Sequence, residues 1–76
     1  MSTSKITVHR NGQPAPNIKV TLEYTGITQS GFTTPAYTDP KGVTYVSHSS
    51  TGRANIYVNG AKKGAMETPG EDIIYL

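Results

Sequence analysis

The amino-acid sequence predicts a small all-β protein, an antiparallel β-sandwich of about seven strands. Apolar and polar residues alternate one by one in several segments, and a turn signal closes each segment. Nowhere do apolar residues recur at the spacing of about 3.6 that is typical of an amphipathic helix. The 76 residues are expected to form one domain, residues 1–76, near the lower size limit for a self-sufficient core.

The first two predicted strands are KITVH and NIKVTLEYT, separated by Asn11-Gly12 and two prolines. Side chains alternate between the two faces of a strand, so each segment has one apolar face. The residues predicted to point inward are Ile6 and Val8 in the first strand, and Ile18, Val20, Leu22 and Tyr24 in the second.

The loop GITQSG leads to FTTPAYT, in which Phe32, Thr34 and Ala36 are predicted to share a face. Pro35 lacks an N–H group, which restricts this segment to a sheet edge or a bulge. GVTYVSH follows, and it places Val43 and Tyr45 on one side with Thr44 and Val46 on the other.

The last part of the chain predicts a hairpin and a final strand. A strand carrying Ala54, Ile56 and Val58 ends at Asn59-Gly60, a strong hairpin signal, and AKKGAME is the return arm. Residues 68–71 (TPGE) predict a type II turn, and DIIYL closes the chain. This last strand is apolar on both faces, so it is expected to be central or to be covered by a partner.

The stretch TDPKGVTYV contains acidic, basic and glycine residues together and raises the question of a ligand site. Asp39, Pro40 and Gly42 fit a type I turn, in which the carboxylate accepts backbone N–H groups and glycine takes the strained exit. The alternative is a calcium ligand, but calcium needs six to eight oxygens, and Glu67 is the only acidic residue among the thirty that follow Asp39. The turn is the preferred interpretation.

Composition argues against several classes of function. The net charge is +2 and the basic residues are scattered, apart from Lys62-Lys63, so neither nucleic acid nor a membrane is the expected partner. There is no cysteine, hence no disulfide framework. The start MSTSKITV lacks the apolar stretch of a secretory signal, and a soluble, cytoplasmic protein is the default expectation.

Candidate chemical groups are few, so the sequence predicts no enzyme, no cofactor and no metal site. His9 and His48 are predicted to be exposed at strand ends, and two imidazoles supply at best half of a zinc site. Ser47-His48-Ser49 is not a catalytic arrangement, because neighbouring strand residues point to opposite faces. Neither a phosphate-binding loop nor a dinucleotide-binding glycine pattern occurs.

The most suggestive binding residues are Tyr37, Tyr57 and Tyr75, which are predicted to face away from the core. Outward aromatic rings can anchor a protein partner or stack on sugar rings, and they can also simply cover a sheet. A protein partner, either a second copy or a larger assembly, is the preferred expectation, and a carbohydrate is the alternative.

The segments ITVHRNGQPAPNIKVTLEY, TDPKGVTYV and ANIYVNG resemble the carboxypeptidase regulatory-like, transthyretin-like β-sandwich superfamily over residues 5–60. Gly12, Pro14 and Val20 match its first element, and Thr38, Asp39, Gly42 and Val46 match its TDxxGxxxV corner. The resemblance implies a prealbumin-like Greek-key sandwich that works as an interaction module. These motifs are turns and core positions, so they specify a fold rather than a function.

One enzymatic branch of this superfamily, the hydroxyisourate hydrolases, carries a catalytic histidine where this chain has His9. The match to the catalytic residues of these hydrolases ends there, because Val43 occupies the position of the family's arginine and the Tyr-Arg-Gly-Ser ending is absent. A degenerate relative of these hydrolases is therefore a remote alternative.

Overall fold

The computed structural model describes residues 2–25 and 30–76, and it forms an all-β sandwich of two packed sheets. The described residues contain nine strands and no helix, which confirms the predicted class; two of the nine have only two residues. The strands are β1 (Ser2–Arg10), β2 (Gln13–Pro14), β3 (Lys19–Thr25), β4 (Ser30–Phe32), β5 (Ala36–Tyr37), β6 (Val43–His48), β7 (Gly52–Val58), β8 (Ala61–Thr68) and β9 (Glu71–Tyr75). Most of the predicted GITQSG loop lies outside the described residues.

Strand β1 is the centre of the first sheet, sheet A, where it pairs with β2, β6 and β9. In the second sheet, sheet B, β3 pairs with β4 and β5 and with β7, and β8 lies beyond β7. The β1–β9 pair is parallel, so the prediction of a wholly antiparallel sandwich is wrong at this pair. The chain crosses from β8 in sheet B to sheet A at residues 69–70, and it enters beside β1 running in the same direction.

The core lies between the two sheets, and the strand alternation predicted most of it. Ile6 and Val8 of β1 and the four predicted residues of the second segment are buried. The inward residues Ala54, Ile56 and Val58 of β7 are buried as well. Leu22 and Ile56 lie directly opposite each other in the β3–β7 register and have no exposed surface.

The segment predicted as one strand, FTTPAYT, is interrupted, and Phe32 and Ala36 do not share a face. Phe32 lies opposite the outward Glu23 and is 60% exposed, whereas Ala36 lies opposite the buried Val20. Thr33 causes the break: its N–H donates to Leu22 O at 2.9 Å, and its hydroxyl accepts the Leu22 N–H at 3.0 Å. The Thr33 hydroxyl thus takes the place of a main-chain acceptor for the Leu22 N–H. Inward and outward residues therefore no longer alternate regularly through this segment.

The predicted hairpin between β7 and β8 is confirmed, while the type II turn after β8 is wrong. Asn59 and Gly60 have φ angles of 51° and 85°, and two positive values are typical of a type I′ turn. A type II turn would require a positive φ at Gly70, which Gly70 does not have. The Thr68–Pro69 peptide bond is cis.

Strand β9 lies at an edge of sheet A, since within the described residues it pairs only with β1. Of the two alternatives predicted for this strand, the central position is therefore wrong, and coverage by a partner stays a prediction. Ile73 and Tyr75 point outward and are exposed, whereas Ile74 is buried in the core. The N–H of Ile73 donates to the side chain of the neighbouring Asp72 at 2.9 Å.

The stretch TDPKG forms a tight corner in which the acidic side chain binds the main chain. Asp39 Oδ1 accepts the N–H groups of Lys41 and Val43, each at 2.9 Å. The N–H of Gly42 donates to Asp39 O at 2.8 Å, and Gly42 leaves the turn with a φ of 77°. Before the turn, the buried Thr38 hydroxyl donates to Ala15 O and accepts the Ile18 N–H. The corner therefore uses its polar groups to close the turn and to hold it against the segment 15–18.

Candidate binding faces

The three tyrosines singled out from the sequence lie on opposite sides of the sandwich. Tyr37 and Tyr57 are on the outer face of sheet B, and Tyr75 is on the outer face of sheet A. Tyr37 is 62% exposed and Tyr75 is 72% exposed, while Tyr57 is half-buried. They cannot form one site, so each face has to be considered by itself.

The outer face of sheet B contains a shallow groove between Phe32, Pro35 and Tyr57, here called the aromatic groove. Its volume is about 370 Å³. The Phe32 and Tyr57 rings meet edge to face with their centroids 5.1 Å apart, a favourable arrangement for two aromatic quadrupoles. Thr21 lies opposite Tyr57 in the β3–β7 register and is buried, although it points outward. The aromatic residues thus form an apolar surface on an otherwise polar sheet.

Glu23 is a carboxylate beside the aromatic groove, opposite Phe32 in the β3–β4 register. Asn55 Nδ2 donates to Glu23 Oε1 at 3.2 Å, and Tyr57 donates its hydroxyl to the same carboxylate. This hydrogen bond raises the pKa of Tyr57, and burial and the negative charge of Glu23 act in the same direction, because each favours the neutral phenol. A carboxylate, an amide and a phenol therefore form one connected array.

Replacing Glu23 with glutamine should lower the pKa of Tyr57. The amide is neutral and accepts a weaker hydrogen bond than the carboxylate, so the phenol loses the interactions that favour its protonated form. Ring chemical shifts of Tyr57 followed by NMR through alkaline pH will measure this change. The control is Glu67→Gln, which also removes one negative charge from sheet B, and an equal decrease in both variants would contradict the assignment to Glu23.

The outer face of sheet A is more apolar, and it is here called the apolar face. Three of its residues are exposed, with Tyr45 at 62%, Ile73 at 48% and Tyr75 at 72%. Thr7 lies between Val43 and Ile73 in the register, and Lys5 lies between Tyr45 and Glu71. Opposite charges therefore face each other across β1 and β9, while the remaining positions of the face are apolar or uncharged.

His9 lies half-buried in β1 beside the apolar face. It is opposite Tyr75 in the β1–β9 register, and the two rings meet edge to face at 5.8 Å. The position that the family resemblance gives to a catalytic histidine is therefore occupied by an aromatic contact with the last strand.

No family model, curated protein or solved structure matches this chain.

The prediction of an exposed His48 is wrong, since this residue is only 4% exposed. Its Nδ1 lies 2.6 Å from Ser50 O, and its Nε2 lies 2.8 Å from Ser4 Oγ. A carbonyl can only accept, so Nδ1 carries the proton in the neutral ring and Nε2 accepts from the Ser4 hydroxyl. The signal was present in the sequence, because His48 continues the inward positions Thr44 and Val46 of β6.

Ser4 and His48 have the spacing of a nucleophile and its base, but Ser4 has no exposed surface. No substrate reaches a hydroxyl at this depth. The pair instead joins the inner face of β1 to the end of β6, and it satisfies two polar groups inside an apolar core.

A larger cleft, of about 540 Å³, opens between the β4–β5 segment and the end of β6. His48 and Tyr24 line it, with their ring centroids 6.0 Å apart. Thr68 donates its hydroxyl to Gly52 O at 2.7 Å, so Tyr24 is the donor in its 2.8 Å bond to Thr68. Among the described residues no buried polar side-chain atom lacks a partner, so the buried side chains that line this cleft already have their hydrogen bonds.

In the described part of the chain there is no cluster of three or more histidine, cysteine or acidic side chains that could hold a metal ion. Residues 2–25 and 30–76 also contain no helix of the length and apolarity needed to cross a membrane.

Proposed function

We propose that this protein is a non-enzymatic interaction module of the transthyretin-like, carboxypeptidase regulatory-like type, with a prealbumin-like Greek key. It acts through surface contacts with another protein, and a second copy of the chain is the first partner to test. The two-sheet sandwich and the TDPKG corner, with its type I turn and its ties to Ala15 and Ile18, support this assignment.

The apolar face of sheet A is the observation that carries the proposal. Tyr45, Ile73 and Tyr75 place two aromatic rings and one aliphatic side chain on one side of the molecule, all with large exposed fractions. The centres of protein interfaces are enriched in tyrosine and depleted of charged residues. The charged pair on this face, Lys5 and Glu71, has opposite signs and lies on adjacent strands, so it does not repel a partner.

The size of the face determines the strength of the association that we expect. A stable interface buries about 800 Å² on each partner, whereas the whole molecule exposes 4547 Å². Three strands spaced about 4.8 Å apart cover a smaller area than that. Association through this face alone is therefore expected to be weak, and experiments need high protein concentrations.

Replacing Ile73 with lysine should abolish self-association, because it places a charge on the edge of the apolar face. Sedimentation equilibrium over a wide concentration range will measure the effect: the wild-type average mass should rise with concentration, and the variant should remain monomeric. Phe32→Lys is the matched control, since Phe32 has similar exposure but lies on the other sheet. A wild-type chain that stays monomeric at every concentration would remove the second copy as the partner.

A further inference from the structure

We propose that the outer face of sheet B binds an acidic saccharide. The aromatic groove takes the sugar ring, Lys19 and Lys62 take its carboxylates, and Glu23 accepts its hydroxyl groups. This site lies on the opposite side of the sandwich from the apolar face, and the inference does not depend on the proposed protein contact.

The first support is the distribution of charge between the two sheets. Strands β3, β7 and β8 carry four basic residues against two acidic ones, whereas the rest of the chain carries three of each. The whole net charge of +2 therefore belongs to the strands of sheet B. The basic residues there are Lys19, Arg53, Lys62 and Lys63, and the acidic residues are Glu23 and Glu67.

The second support is the position of two of these cations at the aromatic groove. Lys19 lines the groove, and Lys62 lies directly opposite Tyr57 in the β7–β8 register. Both side chains are exposed, and neither forms an ion pair within the described residues. Arg53 Nη1 lies 3.8 Å from Glu67 Oε1, so the charges of this pair largely cancel for an approaching ligand. Lys19 and Lys62 are thus free to attract an anion near the aromatic rings.

The third support is the combination of surfaces in and beside the groove. The C–H faces of a sugar ring pack against aromatic rings, and Phe32 and Tyr57 supply two of them. Glu23 already accepts from Asn55 and Tyr57, but an ionised carboxylate offers about four acceptor positions, so it can also accept hydroxyl groups of a ligand. The volume of about 370 Å³ lies within the range of small-ligand sites, roughly 300–1,000 Å³.

A saccharide with carboxylate groups supplies a packing face, anionic groups and hydroxyl donors in one ligand. The phosphate groups of nucleic acid attract the lysines but have no proton to donate to Glu23. Two lysines also neutralise few phosphates, so the electrostatic gain from nucleic acid is small. An acidic peptide supplies carboxylates for the lysines but no ring with hydroxyl groups along its edge.

Binding of a galacturonic acid trisaccharide tests the proposal, with a galactose trisaccharide as the neutral comparison. Two-dimensional NMR at low salt will report both the affinity and the residues that shift. We expect shifts at Tyr57 and Phe32, and binding of the acidic probe at least about tenfold tighter than binding of the neutral one. Lys19→Ala and Lys62→Ala should each weaken binding of the acidic probe several-fold and reduce the dependence of that binding on salt.

Removing an aromatic ring should have a larger effect than removing a lysine. Tyr57→Ala should weaken binding of the acidic probe by about tenfold or more. Phe32→Ala is a second variant at the same groove. Because the Phe32 side chain is 60% exposed, this variant should fold like the wild type. Tyr75→Ala, on the apolar face, is the matched control and should bind like the wild type.

Four results would overturn the proposal: no binding of the galacturonate probe, equal affinity for the neutral probe, no loss in either aromatic variant, or tighter binding of an oligothymidylate or a glutamate hexapeptide.

Discussion

Replacing Gly42 with alanine should lower the free energy of unfolding by about 3–5 kcal/mol, through backbone strain and overpacking together. Gly42 has a φ of 77°, a region that residues with a Cβ atom enter at a cost. An added Cβ would also lie 2.5 Å from Val8 O and 3.1 Å from Ala15 N. These atoms belong to the main chain and bond to each other at 3.0 Å, so they cannot move aside without breaking that hydrogen bond.

Urea denaturation followed by circular dichroism will measure this loss, and Gly12→Ala is the matched control. Gly12 has nearly the same φ, 79°, but an added Cβ there meets no atom within 4 Å. It should therefore lose only the backbone contribution, about 1–2 kcal/mol. Equal losses at the two positions would contradict the close packing around Gly42.

Replacing His48 with alanine should lower the free energy of unfolding by about 2–4 kcal/mol. The substitution removes a buried ring, and it leaves the Ser4 hydroxyl and the Ser50 carbonyl without their partner. Contact with the Tyr24 ring is lost at the same time. Part of the space can fill with water from the neighbouring cleft, which keeps the loss below that of a sealed cavity.

His9→Ala is the natural comparison, because the chain has only two histidines and this one is half-buried on the outer face of sheet A. It should change stability by less than about 1 kcal/mol. The same denaturation measurement applies to both variants. If His9→Ala cost as much as His48→Ala, the Ser4–His48–Ser50 connection would not be the cause.

The strand alternation predicted the buried apolar faces of β1, β3 and β7, as in Val20, Leu22 and Ile56. It failed where an inward residue is polar, because alternation alone does not distinguish His48 in the core from a histidine at an exposed strand end. It also failed at Phe32, where the neighbouring Thr33 hydroxyl accepts the Leu22 N–H and interrupts the register. Long-range arrangement, such as the parallel β1–β9 pair, leaves no local mark in the sequence.

The sequence predicted the candidate faces only in part, because local alternation does not show how strands are arranged. The outward orientation of Tyr37, Tyr57 and Tyr75 follows from local alternation, and the structure shows it. Which of them lie together depends on the order of the strands in each sheet, which the sequence does not show. Lys19 and Lys62 are far apart in the chain, but Lys19 lines the groove with Tyr57, and Lys62 lies opposite Tyr57 on the neighbouring strand.

The bond between the Ile73 N–H and the Asp72 side chain has a consequence for how copies of this protein meet. A main-chain donor at the rim of sheet A is already occupied, and the acidic group beside it repels an incoming strand of the same chain. Edge-to-edge growth into fibrils is thereby discouraged, a protection that natural sheet proteins commonly need. Contacts between copies through the flat sides of the sandwich leave this rim free of strand pairing.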